Sequence, residues 1–241
     1  MVTTAVVFSR TVHFFQPSSA LKSCRAFLIR RPISVQGIAA DLLSKDAVKI
    51  TVGKGGERLT ASTSVTQRVH IVYDARARWE KFVELMRPFR RGGADAGKRV
   101  LIFANRKITV KEIADWCRKQ GLASDSISGD RKQSQRESTI RKFKEGSVTV
   151  VVATDVAARG LDIKGIERVI NYELPMDDFQ DYIHRIGRTG RAGATGEADS
   201  LFSKSADKVH TQALIKIMQD AGQVVPPELA RCGPQRIIFE D

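Results

Sequence analysis

The 241-residue chain (26.7 kDa) is 42% hydrophobic and 28% charged, a globular composition with room for one large domain or two small ones. No apolar run approaches the roughly 20 residues of a membrane-spanning helix, and Cys24, Cys117 and Cys232 are too scattered for a metal site or a disulfide framework. Forty Lys and Arg against 27 Asp and Glu leave a net charge of +13, which favours a polyanionic partner such as nucleic acid; a basic protein with no such partner is the bland alternative.

Residues 1–33 hold five basic residues, no acids and seven Ser or Thr. That composition is like an organellar transit peptide, or like sequence foreign to the natural protein. Residues 34–66 are mixed in character. From residue 67 the pattern becomes regular. Val69 to Tyr73 reads as a strand, and Trp79, Phe82, Val83 and Met86 then fall on one helical face. Pro88 and residues 90–97 end that helix.

A second strand, Val100 to Ala104, precedes Thr109-Val-Lys-Glu112, which reads as a capping box opening a helix that Gly121 closes. A helix over residues 134–145, with Ile140 and Phe143 inward, ends at Gly146. Val148 to Ala153 is a β-branched run suited to a strand buried on both faces. Val169 to Tyr172 reads as a further strand, followed by a helical face of Phe179, Tyr182, Ile183 and Ile186. Ala198 to Phe202 and a helix over 205–221 complete the series. Strands alternating with helices predict an α/β fold, a parallel sheet sandwiched by helices, over residues 67–224. Pro226, Pro227 and Pro234 predict a poorly structured tail over 225–241.

Gly92-Gly-Ala-Asp-Ala-Gly97-Lys98 matches part of a phosphate-binding P-loop. Arg99 stands where such a loop needs Ser or Thr, and the stretch follows a helix and enters a strand, the reverse of the required order. It reads as a linker.

The segment that carries chemistry is His184-Arg-Ile-Gly-Arg-Thr-Gly-Arg191. It places Arg185, Arg188 and Arg191 within seven residues. A forked, permanently charged guanidinium suits phosphate recognition and charge stabilisation in phosphoryl transfer. A solvated helix end is the ordinary reading of such a run. Gly187, Gly190 and Gly193 between the arginines favour a ligand-facing loop, since glycine lets backbone approach a ligand closely. Thr154, Asp155, Arg159 and Asp162 follow the buried strand, where open α/β sheets bind ligands; taken alone, Thr154 and Asp155 read equally well as a helix cap.

These residues closely resemble the C-terminal half of the DEAD-box RNA helicases, from about residue 34 to about 224. Thr154–Asp162 resembles motif V of that family and His184–Arg191 its motif VI; Leu101-Ile-Phe103 resembles motif IV, and Gln133-Ser-Gln-Arg136 the QxxR element. The DEAH-type relatives usually begin motif VI with Gln. The resemblance implies a single RecA-like C-terminal helicase domain. It casts Arg188 and Arg191 as arginine fingers for the γ-phosphate of ATP, Asp162 as the ribose ligand and His184 as the residue coupling two domains. Gln133, Arg136 and Thr154 would contact the RNA backbone, while Arg159 and Arg185 support the loops. RNA and ATP are the implied partners, with magnesium held mainly by an N-terminal RecA-like domain, in a monomeric protein that needs no membrane and has no metal site of its own in this chain.

Two positions depart from the pattern: Arg106 stands where motif IV usually has Thr, and Ser128 where many members have His. The P-loop, the DEAD and Ser-Ala-Thr motifs and the Gln motif of the first domain are not found. Residues 34–66, with Gln36–Leu43 and Lys49–Gly53, resemble the end of that first domain and the linker after it. The chain therefore reads as a gene fragment, with residues 1–33 an artefact of gene prediction or a transit-like leader. The alternative is a stand-alone RNA-binding or regulatory module without catalysis; a DNA translocase of the same superfamily is disfavoured by His184. Nucleus, cytoplasm and organelle stay open as compartments.

Overall fold

The computed structural model describes residues 5–8, 48–51, 61–158, 163, 165–176, 179–191 and 193–233. Arg159 and Asp162 lie outside the described residues, as do nearly all of residues 1–58. The chain divides into two compact units, Met1–Arg58 and Leu59–Asp241. In the first, strand β1 (Ala5–Phe8) pairs in parallel with β2 (Val48–Thr51), Ala5 opposite Val48. The division between residues 58 and 59 falls within the stretch 34–66 expected to end one domain and link it to the next.

The second unit is built on a six-stranded, all-parallel sheet. Its strands are β3 (Val65–Val72), β4 (Val100–Phe103), β5 (Ser124–Ile127), β6 (Val150–Ala153), β7 (Arg168–Asn171) and β8 (Gly196–Ser203). They lie in the order β3-β8-β7-β4-β6-β5. Both faces of a parallel sheet must be covered, and side chains alternate accordingly. Leu101, Phe103, Val151 and Ala153 join one core with Phe143, Tyr182, Ile186, Leu214 and Leu229. Val100, Ile102, Val150 and Val152 join the other with Phe82, Met86, Ile113 and Cys117.

The helices are α1 (Ala75–Met86), α2 (Lys107–Lys119), α3 (Gln133–Glu145), α4 (Asp155–Ala158), α5 (Gln180–Ile186), α6 (Thr211–Asp220) and α7 (Pro227–Cys232). Asp74 caps α1, accepting from the Ala77 amide at 2.7 Å. Gly146 ends α3 at φ +80°, a conformation that favours glycine. Gly92–Lys98 forms consecutive turns between a short 3-10 segment and β4, with Gly93 N donating to Arg90 O and Lys98 N to Asp95 O. It is a linker.

Three expectations need correction. Helix α2 begins at Lys107, not at Thr109, with Arg106 as an N-cap that makes no side-chain bond. The cause lies one residue earlier: Asn105 is fixed by Glu173 and Leu174, so the chain turns into the helix at once. The domain begins before residue 67, since Ala61 and Val65 are buried in the core. The tail carries α7, with Pro227 at its start and Leu229 buried. Proline in the first turn of a helix loses no intrahelical hydrogen bond, so the prolines seed this helix.

Candidate functional site

Strand β4 has β6 on one side and β7 on the other. The chain runs from β6 across β4 to β7, so the strand order reverses there, and ligands of open α/β sheets bind outside the carboxyl ends at such a point. Three polar residues stand at those ends: Asn105 beyond β4, Asp155 beyond β6 and Glu173 beyond β7.

Arg185, on α5, ties all three together. Its Nε donates to Asp155 Oδ1 at 2.6 Å and its Nη2 to Asp155 Oδ2 at 2.5 Å, a bidentate pair. Nη2 also donates to Asn105 Oδ1 at 2.8 Å, and Nη1 to the Glu173 carbonyl at 2.5 Å. The guanidinium lies 5.1 Å above the Phe103 ring and the residue is 1% exposed. Glu173 in turn accepts the Asn105 amide at 2.7 Å, and Asn105 Nδ2 donates to Leu174 O at 2.8 Å.

Asp155 opens α4, while the Thr154 carbonyl accepts the Ala158 amide at 2.9 Å. Thr154 thus starts the helix, and the Asp155 carboxylate goes to Arg185. Asp155, Asp181, His184, Arg185 and Arg188 line one recess of about 20 Å³. A water is about the limit of that volume, so the recess encloses no nucleotide. It is part of an open face. Its lining sets the Asp155 and Asp181 carboxylates beside the His184 imidazole and the Arg185 and Arg188 guanidiniums. Among the described residues no group of three or more His, Cys, Asp or Glu is placed to hold a metal ion.

Arg191 lies one turn further on, its Nε donating to Gly187 O at 2.6 Å. Thr189, 2% exposed, donates to Ile166 O at 2.5 Å and holds the loop against the sheet. Gly190 sits at φ +65°, where a Cβ would come 2.7 Å from Val65 Cγ2 and 2.9 Å from Ser64 Oγ. Its carbonyl accepts from Ser64 Oγ at 2.9 Å. This glycine serves packing against Val65 of β3 and Ser64 just before it.

Gln133 and Arg136 lie at the start of α3, after the edge strand β5. Gln133 Nε2 donates to Glu137 Oε1 at 2.9 Å. Thr154 follows the neighbouring strand β6 and is 9% exposed. Of the residues singled out from sequence, His184, Arg185 and Arg188 are brought into one recess. Gln133, Arg136 and Thr154 follow two adjacent strands. Asn105 and Glu173 were not foreseen. Each is a polar residue just past a strand-like run, the signal that did draw attention to Asp155.

Residues 77–193 match the family described as the helicase conserved C-terminal domain. The chain is 43% identical over 200 residues to the ATP-dependent RNA helicase DBP2 of Meyerozyma guilliermondii, covering 83% of this chain and 34% of that protein. The DBP2 of Candida albicans is 40% identical over 200 residues, with 83% and 34% covered. Among solved structures, Escherichia coli SrmB bound to the regulator of ribonuclease activity A is 30% identical with a TM-score of 0.53, over 71% of this chain and 95% of that one. Yeast Prp28, a DEAD-box splicing factor, is 26% identical with a TM-score of 0.64, over 93% and 48%. Saccharomyces cerevisiae Dbp5 bound to RNA and ADP BeF3 is 25% identical with a TM-score of 0.64, over 84% and 50%. The chain spans about a third of the length of the curated relatives it matches.

Proposed function

We propose that this chain, which belongs to the DEAD-box RNA helicases through its RecA-like C-terminal helicase domain, acts as the second half of an ATP-dependent RNA helicase. The observation that carries this reading is the Arg185 node. One buried guanidinium joins the turn holding Thr154 to the helix whose end bears Arg188, so a shift at an RNA contact is felt at a phosphate contact.

In this reading Gln133, Arg136 and Thr154 hold RNA by its backbone, a contact that positions the strand without reading its sequence. Arg188 and Arg191 face the γ-phosphate and stabilise the charge that develops as it is transferred to water. Asp162 holds the ribose, His184 relays between domains, and Arg159 steadies the loop after Thr154. ATP supplies the phosphoryl group, and magnesium is held mainly by an N-terminal RecA-like domain, which provides the opposite wall of the open face. The pair works as a monomeric enzyme, and the 241 residues alone do not turn over ATP.

The test is to mix the purified chain with the separately produced N-terminal RecA-like domain of a DBP2 relative and measure phosphate release with and without RNA. RNA-stimulated release only in the mixture is expected. A silent mixture, or brisk hydrolysis by the 241 residues alone, overturns the reading. The regulatory alternative predicts that the chain inhibits an intact helicase when added to it.

A further inference from the structure

A groove of about 290 Å³ runs along the outer flank of α3 beside the edge strand β5. Ser134, Ser138 and Lys142 line it at intervals of four residues, with Arg131 at its head and Asp125 and Thr139 at its floor. Eight residues of helix span about 12 Å, so the groove is elongated. It leads away from the first turn of α3, where Gln133 and Arg136 lie.

Its charge is one-sided. Asp125 is the acid in the lining, and it is already neutralised: Arg131 Nη1 lies 2.9 Å from Oδ1, and Thr139 donates to Oδ2 at 2.6 Å. Arg131 Nη1 also donates to Thr139 Oγ1 at 3.0 Å, and Thr139 is 1% exposed. The floor is therefore fixed, while Ser134 and Lys142 are exposed above it. A peptide strand is a poor occupant, because the Ser126 amide on the edge strand is bonded to Asp125 Oδ1 at 2.8 Å. That leaves one fewer open donor for strand addition.

We propose that this groove is a second RNA-backbone subsite, which takes the phosphodiester of the strand where it continues past Gln133 and Arg136. The proposal rests on the helicase reading and deepens it. Hydroxyls at Ser134 and Ser138 donate to phosphate oxygens, and Lys142 supplies the compensating charge, Arg131 being held on Asp125. Near the lower edge of the roughly 300–1,000 Å³ of small-molecule pockets, the groove suits a sugar–phosphate unit of a passing strand, held without base preference.

The experiment is fluorescence anisotropy of labelled single-stranded RNA of about 6 and about 15 nucleotides, lengths within the range single domains cover, with the 241-residue chain across a salt series. Lys142→Ala and Ser138→Asp are expected to weaken the longer RNA about 10-fold and leave the shorter one unchanged. The Lys142 variant should also lower the salt slope by about one. Lys216→Ala, which alters an exposed lysine paired with Asp220 on α6, should change neither. Equal loss at both lengths, no loss on the longer RNA, or the same loss from Lys216→Ala overturns the subsite. The helicase reading fails separately, if Arg136→Ala leaves the shorter RNA unaffected. Absence of binding at both lengths overturns both.

Discussion

Arg185 and Asp155 form a bidentate pair at 2.6 and 2.5 Å, with the arginine 1% exposed and its partner side chain 24% exposed. The same guanidinium satisfies Asn105 and the Glu173 carbonyl, so one side chain closes three strand ends. Replacing Arg185 by Ala strips four acceptor contacts at once and leaves a part-buried carboxylate without its cation. Such a loss costs about 3–5 kcal/mol, and the residual exposure of Asp155 sets the lower end. Urea unfolding of the chain should show a midpoint falling with unchanged slope. Asp155→Ala combined with Arg185→Ala should cost less than the two summed, since the pair is coupled. A loss under about 1 kcal/mol would remove the node from the argument.

Much of the sheet is legible in the sequence because its central strands are buried on both faces. Val148 to Ala153 and Val100 to Ala104 have no other use for so many β-branched and aromatic side chains. Strand β5 is not legible. Ser124-Asp-Ser-Ile127 lies at the sheet edge, where packing asks little of its side chains. The arginine cluster is legible as chemistry, but the division of labour within it is not. Arg185 and Arg188 differ by three positions and line the same recess, yet one is buried in the bonds of three strand ends and the other is half-exposed. Asn105 and Glu173 escape a sequence reading because their role comes from a strand order that no local pattern reveals.

Helix α7 tests the corrected domain limit. Leu229 is 0% exposed and joins the core with Leu214 and Met218. Leu229→Ala should cost about 2–5 kcal/mol, the usual range for a buried leucine, and deletion of residues 225–241 should cost at least as much. Thermal unfolding of the two variants decides it; an unchanged midpoint in the deletion would restore the tail reading.

Gly190 gives a sharper contrast. At φ +65°, a Cβ would stand 2.7 Å from Val65 Cγ2, whereas at Gly193, φ +82°, it would meet nothing within 4 Å. Gly193→Ala carries backbone strain of about 1 kcal/mol, and Gly190→Ala adds a clash to that strain. Chemical denaturation should therefore rank Gly190→Ala as clearly the more destabilised. The reverse order would contradict the packing role assigned to Gly190.

Acid should loosen the fold through Asp199. Burial alone would raise its pKa, but His70 Nε2 at 2.8 Å and Arg168 Nε at 2.7 Å outweigh that and hold the carboxyl below its ordinary value. A carboxylate with a depressed folded pKa contributes stability that is full above its unfolded pKa, about 3.9. That stability is lost as pH falls through the folded value. Asp207 acts in the opposite sense, since burial raises its pKa. Urea midpoints of wild type and Asp199→Asn between pH 7 and pH 3 separate the two. The variant should start lower and fall less below about pH 4. Parallel curves would mean that Asp199 does not carry the acid response.

The two outer arginines should separate binding from turnover. Arg188 lines the recess beside His184, and Arg191 donates to Gly187 O at 2.6 Å. In the proposed two-domain enzyme, Arg191 keeps its Nε on Gly187 O and meets the phosphate through its Nη groups only when the opposing domain closes. In the two-domain mixture, Arg188→Ala and Arg191→Ala should each lower kcat about 10³-fold, the scale of an arginine finger. The KM for ATP should rise more for Arg188→Ala, whose side chain already stands in the recess. For Arg191→Ala the loss should fall almost wholly on kcat, because an interaction made only in the transition state appears there. Steady-state phosphate release over an ATP series measures both constants. Near-normal kcat in either variant would remove that arginine from the transferring phosphate, and identical changes in KM would show that Arg188 gains nothing from its place in the recess.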